Sequence, residues 1–262
     1  TLMLSFPGMD PVAISLGPVN VHWYGLMYLV GFVAGALLGR VRSRRQDSKW
    51  QSQQVWDLLF LIAIGVIVGG RLGYVVFYNL EYYLDRPIEW LFIWSGGMSF
   101  HGGLLGVLVS LWLFSRRTQK SFLEVGDFVA PLCPLGFGVG RIGNFINQEL
   151  WGRASEVPWA MVFPAAGPEA RHPSQLYEAL LEGVILFVIV WLYSKRPRGT
   201  GAISGVFLLS YGVLRFFAEF FREPDAHLGA VAMGWLTMGQ LLSLPMALFG
   251  IGLWIRAMRQ AG

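Results

Sequence analysis

Three arginines, Arg71, Arg141 and Arg215, interrupt long apolar runs of this chain. A charge in hydrocarbon costs at least about 2.5–3.5 kcal/mol, so each needs a partner or a ligand. A guanidinium fork matches phosphate oxygens bidentately, and arginines at membrane depth favour an anionic, amphiphilic ligand such as a phospholipid headgroup. Around Arg141, the stretch Gly140–Gly152 adds Asn144, Asn147, Gln148 and Glu149. Around Arg215, the residues Tyr211, Glu219 and Arg222 share one helical face with it, at i, i+4, i+8 and i+11. There Glu219 can pair with either arginine and lower its burial cost. A salt-bridge stripe without a ligand is the alternative, as is snorkelling to the outer headgroups; the latter explains any one arginine but poorly a matched set.

His101, in Ser99-Phe100-His101-Gly102-Gly103, is a candidate proton acceptor because histidine is the natural residue type for that role, although a helix-end histidine also serves as a hydrogen-bonded structural residue. Ser99 beside it lacks the Gly-x-Ser-x-Gly turn of a serine nucleophile. Cys133 is the sole cysteine, so no intrachain disulfide forms, and its apolar neighbours make it a packing residue. His22, His101, His172 and His227 are dispersed, so no metal site is expected. No phosphate-cradling glycine loop is present, and no cofactor is expected.

These residues must be held by membrane helices. Of 262 residues, 55% are hydrophobic and only 14% charged, and mean hydropathy is +0.52. Soluble domains carry about 25% charged residues. Seven spans of the length needed to cross a bilayer are expected, at about 21–39, 55–78, 97–115, 122–142, 174–193, 202–221 and 235–255. The basic clusters after the first, third, fifth and seventh hold 13 of the 20 Lys and Arg residues, which places the N-terminus outside and the C-terminus inside. The net charge of +4 and pI near 9.4 are thereby explained as topology signals, and no nucleic-acid partner is expected. Counted along their helices, the three internal arginines lie roughly 20–30 Å from the inner ends, in the outer half of the membrane. The expectation is an all-α, single polytopic membrane domain over residues 1–262, with a small outer cap at about 143–173. Where that cap leads into the fifth span, Ser174 is a candidate helix cap, and Glu178 and Glu182 stand one turn apart. The first twenty residues lack a basic region followed by an apolar core, so no cleavable signal peptide is expected in them, and an initiator residue is expected before Thr1.

The stretch Gly140–Gly152 resembles the signature of the bacterial phosphatidylglycerol–prolipoprotein diacylglyceryl transferases, with Gln148 at a variable position where glycine is common. Supporting similarity runs through His22-Trp23-Tyr24-Gly25, Gly70-Arg71-Leu72-Gly73-Tyr74, His101-Gly102-Gly103-Leu104, Arg171 to Glu178, and Arg215 to Asp225. The resemblance implies transfer of the sn-1,2-diacylglyceryl group from phosphatidylglycerol to the lipobox cysteine thiol of a prolipoprotein signal peptide. Glycerol phosphate is released, in the first step of lipoprotein maturation at the bacterial inner membrane, with the active site towards the periplasmic leaflet. It implies Arg141 and Arg215 as catalytic and His101 as the traditional base, with an arginine-stabilised thiolate lacking a dedicated base as the alternative. Tyr24, Asn144 and Gly152 match family-important positions, with Tyr24 and Asn144 expected to donate to the headgroup. Glu149, Glu219 and Arg222 are expected as positioning partners, and Arg71 and Tyr211 as further substrate-site residues. Phosphatidylglycerol, the prolipoprotein and surrounding membrane lipids are the expected partners. A lipid transporter would show functional groups in both leaflet halves, and an intramembrane peptidase a Ser/His or paired-Asp arrangement; the sequence has neither pattern.

Overall fold

The structure is a computed structural model and describes residues 4–17, 19–224 and 236–261. In chain order its elements are β1 (Leu4–Ser5), β2 (Val12–Leu16), β3 (Val19–His22), α1 (Trp23–Ser43), α2 (Ser52–Tyr78), α3 (Leu80–Leu84), α4 (Phe100–Thr118), α5 (Phe122–Val129), α6 (Cys133–Ile146), β4 (Met161–Val162), β5 (Ala170–Arg171), α7 (Ser174–Glu178), α8 (Leu186–Tyr193), α9 (Ala202–Ala218) and α10 (Met238–Ala261). A tight 3-10 turn, Ala130–Leu132, joins α5 to α6 where Pro131 and Pro134 lack the N–H that α-helical bonding needs. A wider π-helical stretch, Ala179–Ile185, joins α7 to α8.

Five helical runs among the described residues are long and apolar enough to cross a membrane: α1, α2, 122–146, 174–193 and α10. Helix α9 is apolar but shorter, at 17 residues, and the last turn of α4 carries Arg116 and Arg117. Only 17% of the most apolar window of α1, and of α10, is buried inside the protein. The remainder displays side chains such as Leu29, Val33, Leu37, Leu248 and Phe249. Apolar faces this extensive call for lipid around them. The chain is a predominantly helical, multi-pass membrane protein.

The N-terminal region carries regular structure ahead of the first helix. Strands β2 and β3 form an antiparallel hairpin, and the first helix begins at Trp23. Helix α10 begins at Met238, and residue 235, the expected start of the last span, lies outside the described residues, as do Asp225 and His227.

Contacts divide the chain into two compact units, residues 39–126 and residues 1–38 with 127–262. In the first, α2 and α4 touch through backbone: a Cβ added to Gly73 would stand 2.8 Å from the Gly102 Cα, and one on Gly69 2.9 Å from the Gly106 Cα. Ser110 Oγ donates to the Leu61 carbonyl at 2.8 Å across the same seam. The chain between these helices, with α3 and two short 3-10 turns, folds back so that Ser99 N donates to the Gly70 carbonyl at 2.8 Å.

In the second unit, α6 meets the π-helical stretch at Gly138 and Gly183, where a Cβ on Gly183 would lie 2.6 Å from the Gly138 Cα. Asp127 seats the start of α9, accepting from Gly201 N at 2.6 Å and from Ser204 N and Oγ at 2.7 Å. After α6 the chain forms a folded cap. Strand β1 pairs in parallel with β4, which pairs antiparallel with β5, over a core of Phe6, Phe145 and Phe163. Bridges Gly152–Arg222 and Ala154–Arg171 tie this cap to the end of α9 and to β5.

Candidate functional site

Arg141 on α6 and Arg215 on α9 converge on one buried cluster of carboxylates. Arg141 Nε lies 2.8 Å from Glu178 Oε2, and its Nη2 3.2 Å from Glu182 Oε2. Arg215 Nη1 reaches Glu178 Oε2 at 3.0 Å and Glu182 Oε1 at 3.1 Å, while its Nη2 pairs with Glu219. Both bridging glutamates are 1% exposed, so each needs its cations as much as the cations need it. The widened turn of the helix at 179–185 carries Glu182, and Glu178 immediately precedes it.

The expected stripe on α9 is present in part as a pairing network. Glu219 bonds Arg215, and Arg222 Nη1 approaches Glu219 at 4.0 Å. Tyr211 lies within electrostatic reach of Arg141, Arg215, Glu178 and Glu182, with its ring 5.5 Å from that of Phe137. Counting Arg222, the cluster holds three arginines and three glutamates and is formally balanced. One edge of Arg141 is left over: its Nη1 has no hydrogen-bond acceptor among the described residues, and its side chain is 18% exposed. Glu178 Oε1 is buried with no partner among them. Such an arrangement holds two guanidinium groups in fixed planes and offers the uncommitted edge to an anion.

The end of α6 supplies the polar surroundings. Asn144 lies one turn past Arg141 and is buried, its Nδ2 donating to Glu149 Oε2 at 3.3 Å. Glu149 is held by backbone: its carbonyl accepts from Gln175 Nε2 at 2.6 Å, and its N–H donates to the Asn144 carbonyl at 2.8 Å. Gln148 and Leu150 on either side of it take left-handed φ values of 54° and 56°. Tyr24 of α1 packs on the same helix, since a Cβ on Gly143 would meet its ring at 3.2 Å. Gly152 is glycine for want of space: an added Cβ would stand 2.5 Å from the carbonyl oxygens of both His172 and Phe221. Ser174 does not cap its helix. The helix begins at Ser174, whose Oγ donates to the Leu150 carbonyl at 3.0 Å and so ties the cap to the glutamate-bearing helix. In the cap, burial holds the His172 imidazole below the usual histidine range, with Tyr177 OH 3.1 Å from its Nδ1.

Arg71 and His101 belong to the 39–126 unit. Arg71 is 3% exposed and spends its donors on backbone, on the carbonyls of Glu89 (2.7 Å), Trp90 (3.0 Å), Gly96 (2.6 Å) and Gly97 (3.3 Å), with its guanidinium 5.1 Å from the Tyr83 ring centroid. That is the geometry of a loop anchor. His101 is the second residue of α4, exposed, with its ring edge-on to Phe100 at 5.7 Å. Cys133 Sγ points back to the Val129 carbonyl at 3.5 Å within its own helical run. No group of three His, Cys, Asp or Glu side chains placed to hold a metal ion occurs among the described residues.

Sequence reasoning left Glu178 and Glu182 outside the site, although the signal was present. Two carboxylates in a helix otherwise apolar pose the same question as the arginines and are the natural answer to it.

Comparison with known proteins reaches nearly the whole chain. The family model described as prolipoprotein diacylglyceryl transferase matches residues 11–256. The phosphatidylglycerol–prolipoprotein diacylglyceryl transferase of Oleidesulfovibrio alaskensis is 60% identical over 249 residues, 95% of this chain and 93% of the relative. Those of Pseudomonas aeruginosa (strain LESB58) and Legionella pneumophila (strain Lens) are 57% and 56% identical, covering 98% and 96% of this chain and 97% and 98% of their own length. The chain belongs to the prolipoprotein diacylglyceryl transferase family.

Proposed function

We propose that this protein transfers the sn-1,2-diacylglyceryl group of phosphatidylglycerol to the lipobox cysteine of a prolipoprotein. The observation that carries the reading is the pair of arginines locked by Glu178 and Glu182, with Arg141 Nη1 left without an acceptor among the described residues. In the reaction, sulfur bonds to the glycerol carbon and the carbon–oxygen bond to phosphate breaks. Glycerol phosphate departs with the electron pair, and the thiol proton leaves to a base or to water. Charge therefore grows on the phosphate as the bond breaks, and preorganised guanidinium donors stabilise it there. Tyr24 and Asn144 donate to the headgroup, Glu149, Glu219 and Arg222 position these groups, and Tyr211 and Gly152 complete the wall. Arg71 holds the 87–97 segment. His101 takes the proton of a thiol whose ordinary pKa is near 8.5.

In this reading the chain is a single polytopic domain that crosses the bacterial inner membrane seven times, α4 and α9 included, with the N-terminus outside, the C-terminus inside and the site in the periplasmic half. The experiment is to incubate the purified full chain with labelled phosphatidylglycerol and a lipobox peptide. Label on the peptide cysteine is the expected result, whereas lipid movement without bond formation, or peptide cleavage, would replace the reading. A His101→Gln enzyme that keeps a near-normal rate across about pH 6–9 removes His101 as base and leaves the arginine-stabilised thiolate.

A further inference from the structure

Glu219 is 3% exposed, and both of its carboxylate oxygens are engaged. Oε1 pairs with Arg215, and Oε2 accepts from the Thr237 hydroxyl at 3.1 Å. Thr237 immediately precedes α10 and is itself held in place. Its N–H donates to Gln240 Oε1 at 3.1 Å, and the Gln240 N–H donates back to Thr237 Oγ1 at 3.2 Å. This is a reciprocal cap. Gln240 Nε2 also donates, at 3.5 Å, to the carbonyl of Phe216, the residue after Arg215. Gly239 lies between them in the first turn of α10, where an added Cβ would stand 2.6 Å from Glu219 Cδ and 3.0 Å from its Cγ. The carboxylate thus rests against a bare Cα, at the positive end of a 24-residue helix.

We propose that Thr237 and Gly239 are positioning residues for the transfer reaction. They seat Glu219, and Glu219 sets the plane of the Arg215 guanidinium. Arg215 is clamped at two points, by Glu178 and Glu182 on Nη1 and by Glu219 on Nη2. A shift of Glu219 releases one of them and lets the fork rotate away from the developing phosphate charge. Misplacement of a positioned group lowers the rate of the chemical step more than substrate binding. The proposal rests on the transfer reading given above.

The test measures kcat and KM for phosphatidylglycerol in the labelled transfer assay, alongside thermal unfolding, for wild type, Gly239→Ala, Thr237→Val and Thr237→Ser. Alanine normally steadies a helix relative to glycine, so a slower but no less stable Gly239→Ala protein separates positioning from folding. Gly239→Ala and Thr237→Val are each expected to lower kcat about ten- to a hundredfold, the effect of losing a hydrogen bond to a charged group. KM should stay within about threefold, and Thr237→Ser should recover most of the rate. Should Gly239→Ala fail to fold, the Val and Ser variants at Thr237 decide. Unchanged kcat in both disruptive variants, or Thr237→Ser as slow as Thr237→Val, overturns the proposal. A wild-type enzyme that transfers no label overturns the transfer reading and this proposal with it, whereas an active wild type with unaffected variants overturns this proposal alone.

Discussion

Arg71 and Arg141 sit in nearly the same local sequence, Gly-Arg-Leu-Gly and Gly-Arg-Ile-Gly, yet the structure uses them differently. Arg71 is enclosed by four carbonyl oxygens of its own unit, so its charge is spent on fixing the 87–97 segment. Arg141 is gripped on one side by Glu178 and Glu182, and its Nη1 has no acceptor among the described residues. A guanidinium whose donors all serve backbone is a structural tie, and one held by carboxylates at a single edge is poised for an anion. The role of an intramembrane arginine therefore follows from what consumes its donors, and two flanking glycines do not reveal it.

The sharpest way to break this contrast is to replace the arginines. Arg141→Gln and Arg215→Gln should each lower transfer about a thousandfold or more while the protein still inserts, because a donor to the developing phosphate charge is lost. Normal turnover by both variants would remove them from the site. Arg71→Gln should act on the other axis. It should destabilise by about 3 kcal/mol, the scale of leaving buried groups unpaired, with kcat per folded molecule retained. A well-folded Arg71→Gln enzyme as slow as Arg141→Gln would abolish the distinction.

Glu182→Gln keeps the shape of the clamp but removes one charge. About a tenfold fall in kcat is expected, and a Glu182→Gln enzyme at the wild-type rate would reduce that glutamate to packing. In the cap, His172 is held below its ordinary pKa by burial. A depressed histidine pKa means the unfolded chain binds the proton more readily. Its contribution to stability is therefore full above about pH 6.5 and is lost as pH falls below that towards the folded value. Thermal unfolding of His172→Gln should show a flatter acid limb, and an unchanged limb would contradict this. The smallest effect belongs to Cys133→Ser. Catalysis should be unaltered and stability changed by about 1 kcal/mol or less, since the thiol bonds the Val129 carbonyl one turn back in the same helical run.

The extent to which the chain could be read in advance varied by the kind of information required. The helical run 174–193 was legible in outline because its apolar stretch ends at both sides on polar residues. The hairpin Val12–His22 was not, since a four- or five-residue strand leaves too short an alternation to separate from turn-rich sequence. On α9, the Arg215–Glu219 pair followed from i,i+4 spacing, which is a property of one helix. Glu178 and Glu182 were visible as carboxylates, but their partners lie 37 residues away (Glu178 to Arg215) and 41 residues away (Glu182 to Arg141). The seat of Glu219 on Thr237 and Gly239 joins two helices in the same way.

The sequence by itself determined that this chain belongs in a membrane, that it is helical, and that each of its internal arginines needs a partner or a ligand. Those conclusions rest on transfer costs and helical spacing, which belong to residues and short segments. Only the tertiary structure decided which arginine is spent on backbone and which is clamped by carboxylates with an edge to spare. The same holds for the first turn of α10, which backs the clamp on Arg215. Donor satisfaction is a property of packed neighbours distant in the chain, and no local pattern carries it.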